Sequence, residues 1–142
     1  MDYKIKSYDH LPDEALSLRI EVFVDEQGFF DEFDDTDKIA THFVLYNEQD
    51  LPLATCRIFE DKPNGRFVVG RLCVRKAYRG LGIGTVLLSH AEKEAKALGG
   101  KTLCLHAQYR ARAFYKNSGY TEFGEMDYEQ DCPHIWLEKT LD

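Results

Sequence analysis

Leu72-Cys73-Val74-Arg75-Lys76-Ala77-Tyr78-Arg79-Gly80-Leu81-Gly82-Ile83-Gly84 joins a strongly β-prone run to the clearest helix of the chain. Behind it, Arg66 to Val74 is rich in Val, Leu and Phe and is expected to be a strand, with Gly70 hinting at a bulge or a close backbone approach. Ahead of it, Ile83, Val86, Leu87, Ala91, Ala95 and Leu98 share one face of a helix spanning Gly82 to Leu98. Glu92, Lys93 and Lys96 lie opposite, and Gly99-Gly100 ends the helix. Gly80, Gly82 and Gly84 alternate at the bend, where backbone N–H groups can close on an anion and a pyrophosphate is the natural guest. A Walker A loop would need Gly-Lys-Ser/Thr where this chain has Gly84-Thr85-Val86. A dinucleotide fingerprint would need glycine at position 85 or 87, and neither is glycine. What remains is R-x-x-G-x-G, as Arg79, Gly82 and Gly84.

Upstream, Tyr3 to Tyr8 alternates weakly as a first strand, and from Pro12 the spacing of Ala15, Leu16, Leu18, Ile20, Val22 and Phe23 predicts a helix. The stretch with Asp25, Glu26, Asp31, Glu32, Asp34, Asp35 and Asp37, together with Phe29, Phe30 and Phe33, mixes loop with one short helix. His42 to Tyr46 and Leu53 to Phe59 form a hairpin across Asn47-Glu48-Gln49-Asp50, and Asp61 to Gly65 turns the chain into the strand ending at Val74. Downstream come a strand from Lys101 to His106, a short helix from Gln108 to Ser118, a strand edge from Tyr120 to Phe123 and a last strand from His134 to Lys139. Meandering strands followed by alternation with helices predict an α+β (mixed α/β) fold: a central twisted mixed sheet of about six to seven strands with helices on both faces.

The chain has 142 residues, 44% of them hydrophobic, and no repeat or linker divides it, so residues 1–142 are expected to form a single domain. Its 18 Lys and Arg against 25 Asp and Glu leave a charge of −7, which repels polyanions and argues against nucleic acid as a partner. The acidic stretch would draw a cationic ligand, or is simply a solvated face. Cys56, Cys73, Cys104 and Cys132 stand far apart with no C-x-x-C pair and suit buried thiols in a reducing compartment, with no metal expected. The amino-terminal residues lack an apolar leader core and no run approaches the ~20 apolar residues of a membrane span, so a cytoplasmic protein without membrane association is expected.

The run from Leu72 to Gly84 resembles the central acetyl-CoA-binding motif of the GNAT family of N-acetyltransferases. Gln108-Tyr109-Arg110-Ala111-Arg112-Ala113-Phe114-Tyr115-Lys116-Asn117-Ser118-Gly119-Tyr120 is similar to that family's later helix ending in F-Y-x-x-x-G-[FY], in the expected order and separation. Arg19 to Gln27 and Cys132-Pro133-His134 further resemble the uncharacterised bacterial YjcF and ElaA-like branch. The resemblance covers nearly the whole chain. It implies that main-chain groups of Leu72, Cys73 and Val74 pair with the pantetheine arm, and that Arg79, Gly80, Leu81, Gly82, Ile83, Gly84 and Thr85 surround the pyrophosphate. Arg75 and Lys76 read equally well as exposed turn residues.

Acetyl transfer from a thioester to an amine needs a neutral nucleophile, a donor to the developing oxyanion and a proton for the leaving thiolate. The resemblance puts the oxyanion donor at the Val74 N–H and the thiolate acid at Tyr115; the other reading of Tyr115 is a core aromatic with a satisfied hydroxyl. Gln108 stands where the family often has Asn, one methylene longer in its reach. Many relatives carry a glutamate on the strand before the phosphate turn, whereas Phe67 to Arg75 holds no carboxylate. Glu26, His42 and His134 are the remaining candidates for the base, His42 and His134 equally readable as hydrogen-bonded structural residues. Gln27, Arg71 and Phe29 are candidate acceptor-binding residues, with a salt bridge to the acidic stretch as the other reading of Arg71. The acceptor implied is a primary amine on a small molecule or peptide, and the lookalikes commonly dimerise through their C-terminal strands. Two other classes stay open: a non-catalytic acyl-CoA sensor, and a nucleotide- or phosphosugar-binding protein.

Overall fold

The computed structural model describes residues 2–30, 33–63 and 65–142; Asp31, Glu32 and Asn64, which fall in the expected loops, lie outside the described residues. The elements are β1 (Lys4–Tyr8), α1 (Asp13–Arg19) with a π-helical continuation (Ile20–Glu26), α2 (Thr36–Ile39), β2 (Thr41–Tyr46), β3 (Pro52–Lys62) and β4 (Arg66–Val74). Then follow α3 (Ile83–Ala97), β5 (Thr102–Gln108), α4 (Arg112–Asn117), β6 (Thr121–Glu129) and β7 (Cys132–Thr140), with 3-10 turns at Lys76–Tyr78 and Tyr109–Ala111. The strands form one mixed sheet in the order β1-β2-β3-β4-β5-β7-β6. Among the described residues, only β4 and β5 run parallel.

The α+β expectation holds, and β2 shows how the layers form. Phe43 and Leu45 pack into the core shared with Leu87, Leu88 and Ala91 of α3, while Val44 and Tyr46 pack with Ala15 and Leu18 of α1. Both sheet faces are covered there, so β2 is apolar at successive positions instead of alternating. In α3 the buried stripe is Ile83, Leu87, Leu88, Ala91 and Ala95, whereas Val86 and Leu98 are 42% and 59% exposed. The stripe is rotated relative to the expected one, because the contact with the sheet is centred on the i, i+4 row running from Ile83 through Leu87 and Ala91 to Ala95.

Three boundaries differ from expectation. The first helix widens after Arg19, with the Gln27 N–H reaching back five residues to the Val22 carbonyl at 3.1 Å. Gln108 ends β5, paired with His134, and does not open a helix. β6 continues to Glu129 and turns into β7 through Gln130 and Asp131, whose φ angles are +47° and +63°.

A buried ionic cluster holds the acidic stretch down. Arg19 donates to both Asp37 oxygens at 2.8 and 3.1 Å, and Arg57 donates to Asp37 and Asp34 at 2.7 Å each. The His42 Nε2–H donates to the Asp37 carbonyl at 2.9 Å, and Arg71 approaches Asp34 at 3.3 Å. Asp34 and Asp37 are therefore neutralised by arginines of α1, β3 and β4 and do not make a free acidic face.

Candidate active site

The site begins where β4 and β5 part. Their parallel pairing covers only Arg66, Phe67 and Val68 against Thr102, Leu103 and Cys104. The register between β3 and β4 slips between Thr55 and Arg57, opposite Cys73 and Gly70, and Arg71 there has a φ of +53°. This is a β-bulge, which bends the strand and sharpens its twist. The bulge foreseen near Gly70 is centred one residue later, on Arg71. Beyond it a cavity of about 1090 Å³ opens, with Val69 to Val74 on one wall and Leu105 to Gln108 on the other. The Arg75 N–H donates to the Leu53 carbonyl of β3 at 2.8 Å, so strand alternation turns the Val74 N–H the other way, toward β5.

The glycine turn closes one end of the cavity. Gly80 and Gly82 have φ of +79° and +80°, and a Cβ on either would meet nothing within 4 Å, so backbone conformation is what demands glycine there. Gly84 has the opposite reason: a Cβ would lie 3.1 Å from Phe114 Cζ. The first backbone bond of α3 runs from the Val86 N–H to Gly82, and no side chain caps the helix, leaving the N–H groups of Ile83, Gly84 and Thr85 without helical acceptors. Leu72, Cys73, Val74, Arg79, Gly80, Gly82, Ile83, Gly84, Thr85 and Gln108 all line the cavity. Leu81 does not; it is 52% exposed on the outside of the turn.

Two polar bridges span this cavity. The Arg79 guanidinium donates to both Glu26 oxygens at 2.5 and 2.6 Å and through Nε to the Val74 carbonyl at 2.9 Å. Gln108 donates to the Gln27 side-chain oxygen at 2.8 Å and accepts from Arg110 Nε at 2.9 Å. The π-helical segment thus places Glu26 and Gln27 across from the strand ends. The hydrogen bond from Arg79 holds the Glu26 carboxyl below the usual carboxylate range.

Tyr115 lies on the cavity wall, edge-on to Phe114 and Tyr120, and its hydroxyl has no hydrogen-bond partner among the described residues. Burial, with the neighbouring Cys56 and Cys73, pushes that hydroxyl well above the usual tyrosine range. It stays protonated at neutral pH and is available as a donor.

The opposite end carries histidines and carboxylates from β5, β6 and β7. His134 Nδ1 donates to the Cys132 carbonyl at 2.9 Å, and its Nε2 lies 3.3 Å from Glu129 Oε2. His106 Nε2 donates to Asp127 at 2.7 Å, with Nδ1 3.6 Å from Glu129 Oε1, and its ring stacks on Trp136 at 4.9 Å. Across the mouth, the Phe30 N–H donates to the Gln130 side-chain oxygen at 2.9 Å. Gln27, Phe29, Arg71, Glu26 and His134 share the cavity. His42 is not in its wall: it is 1% exposed inside the ionic cluster, where burial lowers its pKa. Sequence reasoning missed His106, Asp127 and Glu129, because their proximity depends on a hairpin whose turn has none of the Asn-Gly or Asp-Gly chemistry that marks such turns.

Comparison with known proteins gives consistent results. A family model described as the acetyltransferase (GNAT) domain matches residues 10–141. The uncharacterised N-acetyltransferase YjcF of Bacillus subtilis is 31% identical over 137 residues, covering 94% of this chain and 95% of that protein. A crystal structure from Lactobacillus plantarum superposes with a TM-score of 0.89 at 34% identity and covers 99% of each chain. Escherichia coli ElaA superposes with a TM-score of 0.82 at 28% identity, covering 97% of this chain and 98% of that one.

Proposed function

Because the chain belongs to the GNAT acetyltransferase family, we propose that it works as one acetyl-CoA-dependent domain that transfers an acetyl group to a primary amine, by direct attack within a ternary complex. The observation that carries this reading is the parting of β4 and β5 after Val68 beside an uncapped helix start. Unpaired strand edges suit an extended pantetheine chain that completes the sheet, and free N–H groups at the positive end of α3 suit a diphosphate. The thioester supplies the activated acetyl group. In this reading Leu72, Cys73 and Val74 align it, the Val74 N–H receives the negative charge developing on the carbonyl oxygen, and Tyr115 gives its proton to the departing sulfur. Arg79 fixes the Val74 peptide through its carbonyl and serves as a brace as much as a phosphate ligand.

His134 is the base in this reading. Glu26 is engaged by Arg79, and His42 is sealed in the ionic cluster. The acceptor is a cationic amine on a small molecule or peptide, and Gln27, Phe29 and Arg71 border its approach. The expected setting is the cytoplasm; among the described residues no helix is long and apolar enough to cross a membrane. Self-association through the exposed edge of β6 is part of the same reading. The test is calorimetry with CoA and acetyl-CoA, followed by thiol release over polyamines, aminoglycosides, amino acids and peptides. The absence of a carboxylate on β4 favours one alternative, a non-catalytic acyl-CoA sensor, which predicts clear CoA binding and no thiol release with any amine.

A further inference from the structure

The tip of the β6–β7 hairpin has features that its sequence would not select for turning alone. Gln130 and Asp131 both adopt left-handed φ, at +47° and +63°, a conformation that costs non-glycine residues about 1–2 kcal/mol each. The Gln130 side chain accepts the Phe30 N–H across the cavity mouth, which holds the strained turn against the loop after the π-helical segment. The residue before the turn is Glu129, whose two oxygens point at two imidazoles.

The hydrogen-bond partners place one proton on each imidazole. A carbonyl only accepts, so His134 Nδ1 must carry a proton toward Cys132, and in the neutral ring Nε2 is bare. That bare nitrogen belongs to a side chain only 7% exposed and lies 3.3 Å from a carboxylate oxygen that is also an acceptor. His106 is arranged the same way: its Nε2–H is spent on Asp127, and in the neutral ring its bare Nδ1 faces the other Glu129 oxygen. With both rings neutral, Glu129, His134 Nε2 and His106 Nδ1 are three acceptor groups that converge on the wall of the cavity. A group with several N–H bonds and a positive charge satisfies all of them at once, and an ammonium is such a group.

We infer that Glu129 is the docking group for the acceptor amine, received as its ammonium from the cavity side, alongside Glu129 Oε2 and His134 Nε2, with Gln130 and Phe30 fixing the hairpin in place. This rests on the transferase reading above. One N–H of the ammonium is held by Glu129. The proton of a second passes to His134 Nε2; that N–H bond breaks, its electron pair stays on the amine nitrogen as the attacking lone pair, and the resulting imidazolium is held by Glu129. The specificity that follows is for primary ammonium acceptors, and it arises from β6 and not from the acidic stretch between Asp25 and Asp37, whose Asp34 and Asp37 are occupied by arginines.

The test is long-range 15N–1H spectroscopy of the histidine rings in the CoA-bound full chain, at a pH where the imidazoles are neutral, during titration with methylammonium and with tetramethylammonium. The inference predicts His134 as the Nδ1–H tautomer, an Nε2 resonance that moves with methylammonium and not with tetramethylammonium, and loss of that response in Glu129→Gln. The affinity for methylammonium should fall about tenfold in Glu129→Gln, as for loss of a charge-assisted hydrogen bond, while Glu129→Asp keeps part of it. An Nε2–H tautomer at His134, no response to methylammonium, or equal responses in wild type and Glu129→Gln would each overturn it. Absence of CoA binding in the same sample would instead sink the transferase reading.

Discussion

Replacing Tyr115 with Phe removes one oxygen and keeps the ring among Phe114 and Tyr120, so it separates chemistry from packing. The expected outcome is a fall in kcat of about a hundredfold, the size of a lost general acid, with CoA affinity nearly unchanged by calorimetry. Equal losses of turnover and of CoA affinity would mean that the hydroxyl only supports the core. Asp37 tests the buried cluster: burial opposes its charge, yet hydrogen bonds from Arg19, Asp34 and Arg57 hold its carboxyl well below the usual range. A depressed carboxylate contributes stability that is fully present above its unfolded pKa of about 3.9 and is lost as pH falls through the folded value. Asp37→Asn should cost about 3–5 kcal/mol at neutral pH in chemical denaturation, because it removes the buried carboxylate that Arg19 and Arg57 share. It should also flatten the acid limb of the stability curve. Tyr115 could be singled out from sequence because its neighbours form a local pattern. Asp37 could not, since its partners lie 18 and 20 residues away and a run of acids looks the same whether it is solvated or paired.

At the scale of elements, the turn into α3 makes two glycines do different work. Gly82→Ala imposes a left-handed alanine, a cost of about 1–2 kcal/mol without a clash. Gly84→Ala pushes a methyl group against Phe114 and should separate α3 from α4, costing about 1–3 kcal/mol by overpacking. Thermal melts with and without CoA check both. Each variant should melt lower, and Gly84→Ala should also weaken CoA binding, since the displaced helix start carries the free N–H groups. Both glycines, the strand before them and the helix after them were legible in sequence, because the periodicity changes sharply from β4 to α3. The π-helical stretch was not, since Val22 and Phe23 fit an ordinary α-helical stripe and nothing local announces the wider turn. Nor was the outer half of β6, whose residues from Gly124 to Glu129 are all exposed, Met126 and Tyr128 included, and carry no burial pattern.

At the scale of the molecule, the layers followed from the sequence but the strand order did not. Cys132 to Thr140 is last in the chain and yet inserts between β5 and β6, a pairing between distant segments that no local spacing encodes. That insertion brings His134 beside Gln108, and so joins the imidazoles of His106 and His134 to the end of the strand that borders the cavity. The cleft itself depends on a three-residue parallel contact that stops at Val68, and on a bulge at Arg71 whose φ no residue preference foretold. The claim on which everything rests is that this cleft receives CoA, and a crystal structure of the complex tests it most directly. The account predicts the pantetheine lying as an added strand between β4 and β5, with the diphosphate on the N–H groups of Ile83, Gly84 and Thr85; CoA bound elsewhere, with β4 and β5 still facing an empty gap, would contradict it.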